Sequence, residues 1–178
     1  MKICVVGAHK TGTSSLVVML EKLTKTTWDK TPMAMWNNPE AAFAWVRETN
    51  QTIIRDSPFN FFDHYKRLDE EYPDAKFILT LRPSLSWYQS VMRWQKCFPY
   101  TRRIYNHLYG WSHSSKTDVI SKYETRNKEI IKYFETRPGK LLVINLWESA
   151  NPGELATFLG LKPQKELVYP HVNANKKK

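Results

Sequence analysis

The sequence predicts a three-layer α/β/α protein with a central, mainly parallel sheet, and two observations carry this prediction. Four short apolar runs, typical of buried strands, alternate with longer segments whose apolar residues recur at helical spacing. Strands and helices that alternate along a chain form parallel sheets covered by helices on both faces. The 178 residues, 42% of them hydrophobic, predict one domain over residues 1–174 and a basic, disordered tail over 175–178.

The predicted elements follow these runs in order. The strands are expected at Lys2–Gly7, Thr52–Asp56, Lys76–Arg82 and Leu141–Leu146. The helices are expected to begin at Thr13 or Ser14, Pro39, Phe61, Pro83, Lys116 and Gly153. One of the two hydroxyl residues at 13 and 14 is expected to cap the first helix. Residues 97–115 crowd aromatic and basic side chains without clear periodicity, so they are assigned to neither a helix nor a strand.

Charge and cysteine content narrow the class of protein. A net charge of +10 suits nucleic acid or an anionic small molecule, and scattered lysines also keep a surface soluble, so charge alone does not choose. Two cysteines, Cys4 and Cys97, form no disulfide framework, and no Cys/His pattern has metal-ligand spacing. No apolar run near the start is long enough for a signal peptide or a membrane span, so we expect a cytoplasmic location and no membrane span.

The strongest local signal is the segment Gly7–Ser15 between the first strand and the first helix. A strand, a glycine-containing turn and a helix N-terminus form an anion site, because the free amides and the helix dipole favour phosphate oxygens. The predicted fold is therefore of the P-loop nucleotide-binding type. In ATP- and GTP-binding loops a lysine follows the second glycine. Here Thr13 follows Gly12 and the lysine stands earlier, at Lys10, which argues against a kinase.

Four segments resemble, in the right order, the sulfotransferases that use 3′-phosphoadenosine 5′-phosphosulfate (PAPS). They are the phosphosulfate loop Lys10–Leu16, the 3′-phosphate segment Tyr72–Ser90, a C-terminal helix region Trp147–Leu161 and a closing segment Tyr169–Asn173. Each alone is a weak signal, whereas four in register are specific. The resemblance implies PAPS as sulfuryl donor, 3′-phosphoadenosine 5′-phosphate (PAP) as product, no metal, and in-line transfer to a hydroxyl or amine.

The resemblance also implies roles for individual residues. Lys10 would neutralise charge on the leaving group as the sulfuryl group departs. Arg82 and Ser90, eight residues apart, would share the 3′-phosphate, for which an arginine offers a bidentate fork. The expected cofactor-binding residues are His9, Lys10, Thr11, Gly12, Thr13, Ser14, Arg82, Ser90, His171 and Asn173.

A carboxylate is the expected general base. Asp56 ends the second predicted strand, so its side chain would project over the carboxyl edge of the sheet where ligands bind. A strand-end cap or a simple ion pair with Arg55 remains open as an alternative. His64 is the second candidate for the base, and His9 is a weaker one.

The acceptor is not readable from the sequence. A small molecule, a sugar and a peptide are all compatible, and residues 97–140, where acceptor recognition would vary, match nothing specific. Several aromatic residues either stack on adenine or acceptor or pack in the core: Trp36, Trp87, Trp94, Tyr105, Tyr109 and Trp111. Two other functions stay open, a P-loop kinase and a non-catalytic basic protein that binds nucleotides or polyanions. We expect no specific nucleic-acid partner, and the oligomeric state is open.

Overall fold

A computed structural model of the protein describes residues 1–109, 111, 114–146, 148, 151–163 and 168–170, without the side chains of 103, 104 and 107–109. The strands are β1 (Ile3–Val5), β2 (Ile53–Ile54), β3 (Lys76–Leu81) and β4 (Leu141–Asn145). The α-helices are α1 (Thr13–Thr24), α2 (Pro39–Glu48), α3 (His64–Glu71), α4 (Ser84–Cys97), α5 (Tyr100–Tyr109), α6 (Lys116–Phe134) and α7 (Pro152–Phe158), and Met33–Met35 forms a 3-10 turn.

The described strands form one parallel sheet in the order β2-β1-β3-β4. Ile3 pairs with Ile53 of β2 on one side and with Lys76 of β3 on the other. Alternate residues of β1 face opposite sides of the sheet, because side chains alternate along a strand. Cys4 packs in one apolar layer, with Phe43, Leu68, Ile130 and Phe134 from α2, α3 and α6. Ile3 and Val5 pack in the other layer, with Leu16, Leu20, Leu155 and Leu159 from or beside α1 and α7. The predicted three-layer α/β/α class is confirmed.

The helix starts follow local capping chemistry. The Asn38 side chain accepts a hydrogen bond from the amide of Ala41 at 3.1 Å, one residue before Pro39 opens α2. Ser115 and Asp118 form a capping box at the start of α6, each side chain accepting from the other's amide. The predicted starts of α2 and α6 are confirmed by these contacts.

The sheet order creates a crevice that matters for binding. β1 and β3 are neighbours in the sheet, yet the chain leaves β1 toward β2 and leaves β3 toward β4. In open parallel sheets, ligands bind outside the carboxyl ends of the strands at such a switch point. The loop that contains Lys10 follows β1, and Arg82 follows β3, so both residues flank this crevice.

A third apolar cluster joins α4, α5 and α6 beside the loop that follows β1. Trp87 of α4 stacks on Tyr123 of α6 with ring centroids 4.0 Å apart, and Tyr105 of α5 packs among them. The sequence analysis assigned residues 97–115 to neither a helix nor a strand, and this prediction is wrong, because Tyr100–Tyr109 forms α5. Thr101 and Tyr105, four residues apart, are both buried, and such spacing places them on one helix face. Within the described residues, no helix is long and apolar enough to cross a membrane.

Candidate functional site

The loop between β1 and α1 lies directly on β3. A Cβ atom added at Gly7 would stand 2.0 Å from the Thr80 hydroxyl oxygen and 2.8 Å from the Thr80 amide nitrogen. Thr11, which is fully buried, donates its hydroxyl to the Ala8 carbonyl at 2.6 Å and contacts the Thr80 hydroxyl at 2.6 Å. The side chain of Thr11 thus holds the loop in shape, and its hydroxyl is engaged by the protein itself.

Two residues of the loop have left-handed backbone conformations. Gly12, at φ 99°, occupies the N-cap of α1, where no side chain caps the helix. The predicted cap by Thr13 or Ser14 is wrong, because α1 begins at Thr13 and the glycine takes the cap position. Lys10 has φ 69°, which is uncommon for a residue with a side chain and marks strained functional loops. Because α1 begins directly after this loop, its N-terminus, where the helix dipole is positive, follows the carboxyl end of β1.

Arg82 connects the end of β3 to this loop. Its Nη1 donates to the Lys10 carbonyl at 3.1 Å, and its Nε donates to the Ser86 hydroxyl at 2.9 Å. The backbone of Arg82 is held by Tyr123, whose hydroxyl accepts from the Arg82 amide at 3.1 Å and donates to the Arg82 carbonyl at 3.0 Å. Ser90 lies one turn beyond Ser86 on the same face of α4 and is 8% exposed. Ser86, which the sequence reasoning did not select, supplies a hydroxyl that contacts the Arg82 side chain.

Lys10, Arg82 and Arg93 form a cluster of positive charge at the crevice. Burial lowers the pKa of Lys10, and the charges of Arg82 and Arg93 lower it further. Burial also lowers the pKa of Arg82, again with a contribution from Arg93. In the described part of the chain, neither Lys10 nor Arg93 pairs with a carboxylate. Three cations held this close favour a ligand with more than one negative charge.

Asp56 follows β2 and is almost buried, at 8% exposure. One carboxylate oxygen, Oδ2, accepts from Arg55 Nη2 at 2.7 Å, so the ion pair with Arg55 exists. The guanidinium of Arg55 also lies 4.1 Å above the ring of Trp28, which fixes its position. The other oxygen, Oδ1, lies 3.8 Å from His9 Nε2. Asp56 has φ 64°, a left-handed conformation like that of Lys10.

His9 belongs to this loop, and its side chain is buried rather than exposed at the surface. Its Nδ1 is 3.0 Å from the Tyr105 hydroxyl, and its carbonyl accepts from Trp87 Nε1 at 3.0 Å. Burial lowers the pKa of His9 from 6.5 to about 4, although the nearby charge of Asp56 opposes this effect. A neutral imidazole therefore connects the loop to α5, and His9 is close to the carboxylate that was predicted to act as base.

The remaining predicted site residues have different surroundings. His64 is the first residue of α3, and its ring contacts within the described residues are with Phe43 and Phe62. Burial lowers the pKa of His64. The structure therefore does not bring His64 into contact with Lys10 or Asp56. His171 and Asn173 lie outside the described residues.

Core packing accounts for most of the aromatic residues for which two roles were open. Trp36, Trp87, Tyr105 and Trp111 are buried. Trp94 is half-buried, with its ring 5.7 Å from Lys10 Nζ and 5.5 Å from the His9 ring. The side chain of Tyr109 lies outside the described residues. Among these rings, Trp94 is the one that borders the positive cluster.

Sequence reasoning missed Arg93 and Ser86 as parts of the site, and it considered Tyr105 only for stacking or core packing, not as a partner of His9. Arg93 stands seven residues, or about two helical turns, after Ser86 on α4. The helical period would therefore have placed both on one face of the helix that begins just after Arg82. Tyr105 carries no such signal, because it meets His9 across 96 residues of sequence. Within the described residues, no group of His, Cys, Asp or Glu side chains could hold a metal ion.

Comparison with known proteins supplies the family. A family model described as a sulfotransferase domain matches residues 2–98, which is more than half of the chain. No curated protein matches the chain. The matched range contains the loop after β1, Asp56 and the Arg82 segment, whereas α5 and α6 lie beyond it. This match confirms the resemblance to sulfotransferases, which two of the four sequence segments within residues 2–98 had indicated, and the chain belongs to the sulfotransferase family.

Proposed function

We propose that the chain transfers a sulfuryl group from PAPS to a hydroxyl or amine acceptor, and that it does so without a metal ion. The observation that carries this proposal is the cluster of Lys10, Arg82 and Arg93 at the switch point of the sheet. PAPS carries negative charge at two places, the 5′-phosphosulfate and the 3′-phosphate. A cluster that joins the loop after β1 to the end of β3 suits a nucleotide charged at both places.

The residues at the crevice fit this donor in their chemistry. Bound PAPS supplies the sulfuryl group, and the loop residues Lys10–Ser14 would hold the 5′ end. Lys10 would neutralise the negative charge that develops on the leaving phosphate oxygen. Arg82, Ser90 and Ser86 would hold the 3′-phosphate, with Ser86 added because its hydroxyl already contacts Arg82. His171 and Asn173 stay in the proposal as residues that close over the nucleotide.

Asp56 is the proposed base. Its Oδ2 is engaged by Arg55, so Oδ1 is the atom that would accept the acceptor's proton. The left-handed backbone at Asp56 agrees with a functional position, because strain of this kind concentrates at active sites. His64 stays in the proposal as the alternative base, although its described ring contacts are with Phe43 and Phe62.

Replacement of the base separates chemistry from binding. Asp56→Asn keeps the shape of the side chain but removes the proton acceptor, so kcat should fall by about 100-fold or more. The affinity for PAP should stay within about threefold, because Asp56 is not among the residues proposed to hold the nucleotide. Rates measured with radiolabelled PAPS, together with PAP titration calorimetry, would check both. If Asp56→Asn keeps full activity, the base is assigned to His64 and His64→Asn becomes the decisive variant.

The donor itself is tested by thermal unfolding with three ligands. PAP without Mg²⁺ should raise the melting temperature, because a ligand bound only to the folded state stabilises it. ADP, which has the same two phosphates but both at the 5′ position, is the matched control and should give a smaller shift. ATP with Mg²⁺ should give no larger shift than ADP. A larger shift with ATP and Mg²⁺ than with PAP would overturn the proposal in favour of a kinase.

A further inference from the structure

A groove of about 710 Å³ lies between the start of α3 and the adjoining face of α6. It is lined by Phe62, Asp63, Tyr65, Lys66, Lys122, Arg126, Glu129, Lys132 and Tyr133. No residue of this set belongs to the site described above. The part of it on α6 also lies outside residues 2–98, the range that the sulfotransferase-domain model matches.

The groove adjoins the proposed active site through Arg126. This arginine, 8% exposed, donates from Nη1 to the Val6 carbonyl at 3.0 Å, directly after β1 and one residue before the loop begins. Phe62 and Asp63, at the α3 side of the groove, follow Asp56 by six and seven residues along the chain. An acceptor long enough to reach from Asp56 to Arg126 would therefore meet this groove.

Phe62 is an exposed aromatic residue held in an unfavourable conformation. Its φ is 44°, in the left-handed region that bulky residues avoid, and 50% of its surface is exposed. Four other non-glycine residues of the described chain have this left-handed conformation: Lys10 and Asp56 at the proposed active site, and Lys25 and Asn50 elsewhere. Strain of this kind persists where the surroundings enforce it and commonly marks binding sites. In this conformation the flat apolar ring of Phe62 lines the groove and stays exposed.

The charged residues of the groove are mixed in sign but mainly positive. Lys66 and Asp63 lie together at the start of α3, whereas Lys122, Arg126 and Lys132 share α6 with Glu129. Asp63 Oδ2 lies 3.6 Å from Lys66 Nζ. Cations suit carboxylate or sulfate groups, whereas carboxylates accept hydrogen bonds from hydroxyl groups. The groove therefore offers partners for a ligand that has both negative charges and many hydroxyls.

We propose that this groove binds an acidic oligosaccharide, which carries carboxylate or sulfate groups, as the extended part of the sulfuryl acceptor. The ring of Phe62 would pack on the apolar face of a sugar, the lysines would pair with its anionic groups, and Asp63 and Glu129 would accept from its hydroxyls. An acidic peptide has the negative charges without the dense hydroxyls. Nucleic acid would bring a continuous line of phosphates against the two carboxylates.

This inference rests on the proposed sulfuryl transfer, but its test measures binding in the absence of donor. Titration calorimetry would use a hexasaccharide of alternating glucuronate and N-acetylglucosamine as the probe, neutral maltohexaose as the uncharged sugar, and hexaglutamate as the acidic peptide. The acidic hexasaccharide should bind most tightly, and its affinity should fall as salt is raised. Tighter binding of hexaglutamate, or equal binding of the neutral sugar, would overturn the inference.

A charge-matched pair of variants locates the binding. Lys66→Gln/Lys132→Gln removes two lysines of the groove, and it should weaken binding of the acidic hexasaccharide by roughly tenfold. Lys22→Gln/Lys128→Gln removes the same charge from exposed positions outside the groove and should leave the affinity within about twofold. Equal weakening by both pairs would show a general charge effect and overturn the assignment.

Phe62→Asn separates a binding role from a structural one. Asparagine tolerates the left-handed conformation, so the melting temperature should stay the same or rise. Affinity for the acidic hexasaccharide should nevertheless fall by roughly fivefold, because the aromatic platform is lost. Unchanged affinity in this variant would overturn the role of Phe62. The PAP-induced rise in melting temperature serves as the fold control, and it reports separately on the proposed donor.

Discussion

Two positively charged regions of the molecule are built in different ways. In the cluster at the switch point, formed by Lys10, Arg82 and Arg93, the central arginine is fixed: Arg82 donates to the Lys10 carbonyl, and the Tyr123 hydroxyl bonds the Arg82 amide and carbonyl. The lysines of the groove between α3 and α6 are exposed and stand among carboxylates.

This difference predicts that the two regions would bind anions in different ways. Cations held together before a ligand arrives need little reorganisation when charge develops during a reaction, which suits transfer chemistry. Exposed lysines on flexible side chains adapt to ligands of varied shape and lose more conformational freedom on binding. The first region is therefore expected to govern turnover, and the second to govern the choice of acceptor.

The largest effect expected from this division is on turnover. Lys10→Ala removes the cation proposed to face the leaving group, so kcat should fall by roughly 100- to 1000-fold. Lys66→Ala, in the groove, is the matched control and should change kcat by less than about twofold, with any effect confined to KM. Steady-state rates with a fixed acceptor would measure both. A comparable loss of kcat in the two variants would abolish the division.

The buried histidine beneath the loop predicts a pH-dependent stability. The pKa of His9 is lowered by burial to about 4, whereas the unfolded chain has the ordinary value near 6.5. Between these values the unfolded state binds a proton that the folded state does not. The free energy of unfolding should therefore fall as the pH drops from about 6.5 to about 4, with a contribution from His9 of about 3 kcal/mol.

Urea unfolding of the protein and of His9→Gln across pH 4 to 7 would measure that contribution. The other titrating groups are common to both proteins, so the difference between the two curves isolates His9. The variant should show a shallower loss of stability toward low pH. Parallel curves would mean that the imidazole is accessible to protons in the folded protein, and the loop would then be less fixed than its contacts indicate.

The contact between the loop and β3 predicts a smaller loss of stability. Gly7→Ala would press a methyl group against Thr80, so the free energy of unfolding should fall by about 2 kcal/mol. Gly160→Ala is the control for backbone strain alone. Gly160 has φ 71° with nothing within 4 Å of its added Cβ, and its replacement should cost about 1 kcal/mol. A smaller loss at Gly7 than at Gly160 would contradict a tightly seated loop.

The smallest effect concerns the shape of one cation. Arg82→Lys keeps the charge but loses the planar fork, so affinity for PAP should fall by about tenfold. Arg93→Lys is the control, since Arg93 contributes its charge to the cluster and is exposed. It should keep PAP affinity within about threefold in the same titration. Equal effects of the two variants would mean that charge alone governs binding at the cluster.

Much of the fold was predictable because its signals are local. The runs that became β1, β3 and β4 are continuous and apolar, and the starts of α2 and α6 have capping residues within three positions. Helix α5 was missed because its aromatic residues mask the periodicity in the sequence. Its place is determined by tertiary contacts, such as that between Tyr105 and His9.

The candidate site, like the fold, was predictable from local sequence signals but not where it depends on contacts between distant segments. Lys10 and Arg82 were selected from short motifs, and the sheet order brings the ends of the strands that precede them together. Spacing alone does not distinguish Ser86 from Ser90 as the partner of Arg82, because both lie on one face of α4. The groove between α3 and α6 was beyond sequence reasoning, since its lining comes from segments about 60 residues apart in the chain.

The hydroxyl of Tyr123 forms the two backbone hydrogen bonds at Arg82 that a neighbouring strand would otherwise form. Its hydroxyl accepts from the Arg82 amide and donates to the Arg82 carbonyl, so both backbone polar groups of this residue, just past the end of β3, are bonded as if a further strand lay beside it. In hydrogen-exchange experiments the Arg82 amide should therefore be protected like the interior of the sheet rather than like a loop. Tyr123→Phe should release that protection while the stacked ring remains. Helix α6, which lines the proposed acceptor groove, would thus also keep Arg82, the proposed ligand of the nucleotide, in its bound position.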